Sequence, residues 1–182
     1  MVGVRHSQRA IFLDRDGVLV VPEFRDGRSF APKSVAAFRL YAGAADALHR
    51  LKDAGYKLVV VTNQPDVGHG QVERSVVEEM HRKLSAALPV DAIEVCYHTE
   101  ADNCDCRKPK PGLLRRAADR FGIDCANSVM VGDRWSDVAA GRAVGCRTIF
   151  VDLNYREPRP ENPDFVVSSV VQAADVILTR IR

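Results

Sequence analysis

Asp14 and Asp16 are two carboxylates one residue apart, and Gly17 follows them directly. In an extended chain, side chains at i and i+2 share a face. Like charges this close repel and need a cation or a shared proton. Oxygen donors of this kind suit Mg²⁺. One carboxylate can then attack phosphorus and form an aspartyl-phosphate. Its neighbour can protonate the leaving oxygen and later activate water. On these residues alone, the plainer reading of an acidic turn that ends a strand stays open.

Three further clusters carry compatible chemistry. Thr62, Asn63 and Gln64 offer a hydroxyl and two amides that can hold phosphate oxygens, or can serve as an ordinary turn. In Arg107-Lys108-Pro109-Lys110-Pro111-Gly112, a fixed Lys108 can neutralise a transferring phosphoryl group and Arg107 can grip a second phosphate. The prolines limit how far these cations wander, though a solvated basic loop has the same composition. In Gly132-Asp133-Arg134-Trp135-Ser136-Asp137, Asp133 stands where a further oxygen ligand is needed. Asp137 can orient water or Lys108, or simply pair with a helix dipole. Trp135 either walls a substrate pocket or packs on the sheet edge.

Cys96 and His98 form an i, i+2 pair, and so do Cys104 and Cys106. Each pair can present both ligands on one side, and the intervening loop lets them converge. Three thiolates and one imidazole fit a closed, structural Zn²⁺ site. Such a site would anchor Arg107 and Lys108, which follow Cys106 immediately. The competing reading is buried thiols beside a chance histidine, against which the surrounding Asp102, Asn103 and Asp105 argue. Cys125 and Cys146 lie apart and read as ordinary buried residues. His6, His49, His69 and His81 lack a partner at ligand spacing and read as surface residues, with His69 also a possible member of a substrate loop.

These groups need a scaffold. Ala10–Leu13, Leu58–Val61, Ile93–Tyr97, Val129–Val131 and Thr148–Val151 are short apolar runs that read as buried strands, with a last short one at Phe165–Val167. Between them lie helical patterns. Ala44, Ala47, Leu48 and Leu51 recur at i, i+3, i+4, i+7. Further helices fall near residues 72–87, at 113–121, at 138–144 and near 170–180. Alternation of this kind predicts an α/β fold with an open, mostly parallel, Rossmann-like sheet and helices on both faces. Ligands bind such sheets at the carboxyl ends of the strands, which is where Asp14, Asp16, Thr62, Asn63 and Asp133 fall. The span from Asp16 to Ala44 is too short for an inserted cap domain. Glu157–Pro163 reads as a Pro-rich loop, and the whole chain, 1–182, reads as one domain.

Bulk properties narrow the class. With 182 residues and 46% hydrophobic content, the chain can bury a sizeable core. Lys and Arg total 26 against 24 Asp and Glu, a formal charge of +2. That balance gives no support to a nucleic-acid or membrane partner. No apolar run approaches the ~18 residues of a membrane span, and the N-terminus lacks the apolar stretch of a signal peptide. Five cysteines, an odd number, argue against a disulfide framework. A cytoplasmic monomer is the expectation.

DRDG, VTNQ, RKPKPG and VGDRWSD, in that order, resemble the four motifs of the haloacid dehalogenase superfamily of phosphatases. The resemblance spans Ala10 to Asp152 and implies specific roles. Asp14 would be the nucleophile, Asp16 the general acid/base, Thr62 a phosphate binder and Lys108 a charge stabiliser. Mg²⁺ would be held by Asp14, the Asp16 main-chain carbonyl and Asp133, with Asp137 in support. Asn63, Gln64, Arg107 and Arg134 would contact substrate. One departure is Val18, where the family usually places Thr. The CYH and CDCRKPKPG segments are similar to the zinc-loop branch of that superfamily, which includes heptose bisphosphate and histidinol phosphate phosphatases. The implied substrate is a small phosphorylated metabolite, a sugar bisphosphate ahead of histidinol phosphate. Two other readings are a polynucleotide 3′-phosphatase, which would want a basic groove, and a non-enzymatic zinc-loop interaction module. The intact Asp14–Asp16 pair speaks against the latter.

Overall fold

The computed structural model describes residues 8–181, so His6 lies outside the described residues. Strand β1 (Ala10–Leu13) is completely buried. It pairs in parallel with β4 (Lys57–Asn63) on one side and β6 (Val129–Gly132) on the other. Beyond β4 lies β5 (Ala92–Cys96), and beyond β6 lie β7 (Arg147–Val151) and β8 (Phe165–Val167). All pairings in this six-stranded sheet are parallel, in the order β5-β4-β1-β6-β7-β8.

Residue alternation along β1 divides the core into two layers. Ile11 and Leu13 face helices α1 (Ala44–Asp53), α3 (Arg74–Ala87) and α6 (Val170–Arg180), through Leu48, Leu84 and Ile177. Ala10 and Phe12 face α4 (Gly112–Phe121) and α5 (Trp135–Ala143), through Leu113, Leu114 and Ala140. A strand buried on both faces has no polar side, which is why these strands read as continuous apolar runs. Chain order reverses at β1: the strand's two neighbours are reached by crossovers in opposite directions. The crevice at its carboxyl end is thus a topological switch point.

Several elements differ from the sequence expectation. Strand β4 runs on to Asn63, so Thr62 and Asn63 are strand residues. A single-turn helix, α2 (Pro65–Gly68), precedes α3. Helix α5 starts at Trp135, three residues earlier than its apolar pattern suggests. The backbone N–H of Arg134 donates to Asp137 Oδ2 at 3.0 Å, and this polar cap fixes the start. A small antiparallel hairpin, β2 (Glu23–Arg25) and β3 (Arg28–Phe30), occupies the stretch between β1 and α1. Its residues are mostly polar and partly exposed, so no apolar run marked it. Among the described residues no cap domain covers the crevice. Among the described residues no helix is long and apolar enough to cross a membrane.

Candidate active site and metal centre

Asp14 follows the last residue of β1, and its backbone N–H donates to Val131 O of β6 at 2.9 Å. The chain then turns sharply, with Gly17 at φ +93°. A Cβ on Gly17 would lie 2.1 Å from Asp133 Oδ2, so only glycine lets the turn pass under that carboxylate. Gly132 is under the same constraint, because a Cβ there would meet Asp137 Cβ at 2.1 Å. Together these glycines let carboxylates from two strand ends converge.

The converging acids are Asp14, Asp133 and Asp137, all buried, each offering an oxygen within 4.8 Å of the others. Lys108 Nζ sits among them. It lies 2.6 Å from Asp14 Oδ1, 2.6 Å from Asp137 Oδ1 and 2.7 Å from Val61 O. Burial works against the Lys108 ammonium, but Asp137 and Asp14 outweigh it and hold its pKa above the ordinary lysine range. Burial lifts the Asp137 carboxyl to about 6 despite Lys108. Asp133 is pushed well above the usual carboxylate range, by burial first and then by Asp14 and Asp137. Neither of its buried carboxylate oxygens makes a hydrogen bond of good geometry, and the buried Tyr155 hydroxyl beside it is likewise unsatisfied. Buried polar atoms are almost always satisfied. An orphaned carboxylate beside two other acids, with one lysine between them, is the donor set a hard divalent cation requires.

The side chain of Asp16 stands outside that trio. Arg15 Nε donates to its Oδ1 and Oδ2 at 3.1 and 3.0 Å, and Gln64 Nε2 donates to Oδ2 at 2.8 Å. Asp14 and Asp16 both line a cavity of about 730 Å³ whose wall also carries Lys33, His69, Arg107 and Trp135. Trp135 is 43% exposed. Of its two readings, the structure gives the pocket wall.

The residues expected to contact substrate have intramolecular partners. Asn63 clasps the backbone of Lys108: its Nδ2 donates to Lys108 O at 3.0 Å, and its Oδ1 accepts from Lys108 N at 3.1 Å. Gln64 is 3% exposed, and both ends of its amide are committed. Its Oε1 accepts from Arg15 at 2.9 Å, and its Nε2 also donates to Thr62 Oγ1 at 2.9 Å. Arg107 pairs with Glu100 at 2.6 Å. Arg134 pairs with Glu157 at 2.8 Å and donates to Ser29 O at 2.7 Å, tying the Pro-rich loop to the hairpin. The expectation that His81 is a surface residue fails. It is 9% exposed, with Nε2 3.1 Å from Arg15 Nη1. Its place between Val77, Met80 and Leu84 on the buried stripe of α3 was the available signal. Arg15, completely buried, was not singled out either.

The second cluster lies at the carboxyl end of β5. Cys96 Sγ is 3.5 Å from His98 Nδ1 and 3.7 Å from Cys104 Sγ. Cys106 Sγ is 3.3 Å from His98 Nδ1 and 3.5 Å from Cys104 Sγ. With Zn–S bonds of about 2.3 Å, the edges of a tetrahedral site are about 3.8 Å between sulfurs and somewhat shorter to nitrogen. The four atoms are spaced for such an ion, and all five cysteines are free of disulfides. Burial lifts the Cys96 thiol to about 12. Burial also acts upward on Cys104, but the Arg107 backbone N–H and the neighbouring thiols outweigh it and leave its pKa at about 7.

The chain is 35% identical over 150 residues to the D-glycero-beta-D-manno-heptose-1,7-bisphosphate 7-phosphatase of Pseudomonas aeruginosa, covering 80% of this chain and 82% of that protein. The chain belongs to the haloacid dehalogenase superfamily of phosphatases. A HAD-hydrolase-like family model matches residues 105–173 of this superfamily member. Its fold superimposes on the crystal structure of D,D-heptose 1,7-bisphosphate phosphatase from B. bronchiseptica, complexed with magnesium and phosphate. The TM-score is 0.77 at 29% identity, covering 94% of this chain and 98% of that one. It is also 34% identical over 148 residues to the histidine biosynthesis bifunctional protein HisB of Actinobacillus pleuropneumoniae, covering 79% of this chain and 40% of that protein. The alternation of strands and helices and the ordered motifs thus pointed to the right superfamily.

Proposed function

We propose that this phosphatase removes the 7-phosphate of D-glycero-D-manno-heptose 1,7-bisphosphate, with Mg²⁺ held at Asp14, Asp133 and the Asp16 main-chain carbonyl and Zn²⁺ at the cysteine cluster. The observation that carries the reading is the buried Asp14 carboxylate, paired with Lys108 at 2.6 Å and adjacent to an orphaned Asp133, on a cavity ringed with cations. The sugar bisphosphate is chosen because relatives with that name match most of this chain. Lys33 and Arg107 on the cavity wall also suit a second phosphate.

In the first step an oxygen of Asp14 attacks the phosphorus, and the bond to the sugar oxygen breaks. Asp16 gives that oxygen its proton, leaving an aspartyl-phosphate on Asp14. In the second step Asp16 takes a proton from water, the water oxygen attacks phosphorus, and Asp14 is released with inorganic phosphate. Thr62 and Lys108 hold the phosphoryl oxygens and offset their charge. Mg²⁺, held by Asp14, Asp133 and the Asp16 main-chain carbonyl, would supply further neutralisation between nucleophile and phosphate. Asn63 acts on this step indirectly, because its two hydrogen bonds fix the backbone from which Lys108 extends.

The deciding experiment is phosphate release with Mg²⁺ from heptose 1,7-bisphosphate and from histidinol phosphate. A preference of at least about tenfold in kcat/KM for the bisphosphate is expected, equivalent to about 1.4 kcal/mol. A preference for histidinol phosphate would replace the substrate and leave the chemistry standing. No release from either would return the chain to a non-catalytic zinc-loop module.

The metal cluster carries its own prediction. Zn²⁺ would brace the loop that delivers Lys108 two residues after Cys106. Cys104→Ser is expected to bring zinc content from about one per chain toward zero and to lower kcat about 10-fold or more with Mg²⁺ in excess. Metal analysis and phosphate release check it. Undiminished zinc in the variant would remove Cys104 from the ligand set.

A further inference from the structure

We infer that Arg15 and His81 are positioning residues that lock the Asp16 carboxylate from behind. The inference rests on the phosphatase reading above. Arg15 is the largest fully buried side chain in the described residues. A buried guanidinium is tolerated only when its donors are met. Nε spans both oxygens of Asp16, and Nη2 lies 2.9 Å from Oδ2 of the same carboxylate. Nη2 also donates to Gln64 Oε1 at 2.9 Å, and Nη1 lies 3.1 Å from His81 Nε2.

A guanidinium only donates, so at that last contact the imidazole nitrogen must accept. His81 is thereby neutral, with its proton on Nδ1. Burial and the Arg15 charge depress its pKa to about 3, in agreement. His81 occupies a position of the α3 stripe otherwise filled by Val77, Met80 and Leu84. An apolar residue would pack there without a polar atom to satisfy. The imidazole is explained by the cation it receives.

The consequence falls on Asp16. Its Oδ2 takes donors from Arg15 and Gln64, whereas Oδ1 takes only Arg15 Nε at 3.1 Å. The planar fork restrains rotation of the carboxylate, and Oδ1, with fewer donors, is the oxygen with spare capacity. A residue on α3, outside all four motifs, therefore sets the aim of the proton donor.

The test uses leaving-group dependence. In kcat/KM for a sugar phosphate, the alkoxide must be protonated as it leaves. For p-nitrophenyl phosphate the leaving phenolate is stable without that proton. His81→Leu is expected to reduce kcat/KM at least about tenfold more for the sugar phosphate than for the aryl phosphate, a part of what a general acid supplies. Asp16→Asn should show the same bias, more strongly. His81→Gln, which keeps an acceptor, should recover most of the loss. Arg15→Lys repeats the comparison should His81→Leu not fold. Equal losses on both substrates, or none, would overturn the positioning role and leave Arg15 and His81 as packing. Absence of Mg²⁺-dependent hydrolysis by the unaltered chain would instead overturn the phosphatase reading, and the inference with it.

Discussion

Asp14→Asn is expected to lower phosphate release about 10⁴-fold or more, because an amide oxygen cannot form the covalent intermediate and loss of a nucleophile is among the most damaging single changes in an enzyme. The fold should survive, for an electrostatic reason. Three buried acids, Asp14, Asp133 and Asp137, converge, with Lys108 bridging Asp14 and Asp137 and Arg134 near Asp133. The Asp133 carboxyl is raised by burial and by the other two acids. A folded-state pKa above the unfolded value means stability that is fully present below the unfolded carboxylate pKa and is lost as pH rises through the raised folded value. Replacing Asp14 with a neutral isostere removes one source of that repulsion, while Lys108 keeps Asp137 at 2.6 Å. Without divalent cation at pH 7, the variant should melt at or above the temperature of the unaltered chain. Phosphate release and thermal melting in a chelator check both halves. Substantial residual turnover would remove Asp14 as nucleophile.

Lys108→Met carries the second largest effect, and it moves stability in the opposite direction. Lys108 is 4% exposed, and its ammonium bridges Asp14 and Asp137. Taking away one partner of a buried ionic group leaves the other charges uncompensated, at a cost of about 3–5 kcal/mol. For a chain of this length the melting temperature should fall on the order of 10 °C in chelator. Mg²⁺ should restore part of the loss, since a ligand of the folded state stabilises it by mass action. kcat should drop about 10²–10³-fold even with Mg²⁺, the usual cost of losing one preorganised donor at a developing anion. An unchanged melting temperature would mean that Lys108 does not bridge the acids. The two variants together separate the nucleophile, whose loss costs only rate, from the cation, whose loss costs both.

The α/β layout and the places where strand ends deliver chemistry are legible in the chain. Apolar runs and 3.6-residue patterns are local, and so are the motifs that follow them. Asp14 after β1, Thr62 at the end of β4 and Asp133 after β6 could be placed on one edge because parallel sheets put all their carboxyl ends together. The Cys96, His98, Cys104 and Cys106 spacing was likewise legible, since all four ligands fall within one short segment. What the polar side chains do once they arrive depends on contacts between distant parts of the chain. Gln64 and Asn63 line the cavity as strand-end residues should, but that Gln64 braces Arg15 and Asn63 clasps Lys108, 45 residues away, is not visible in the chain. Arg134 finds Ser29, 105 residues distant, because the hairpin folds back over the start of α5. His81 meets Arg15 across 66 residues. Such pairs follow from strand order and helix placement, and the physical reason is desolvation: once packing has buried a donor or a charge, it must take whichever partner the fold has brought within reach.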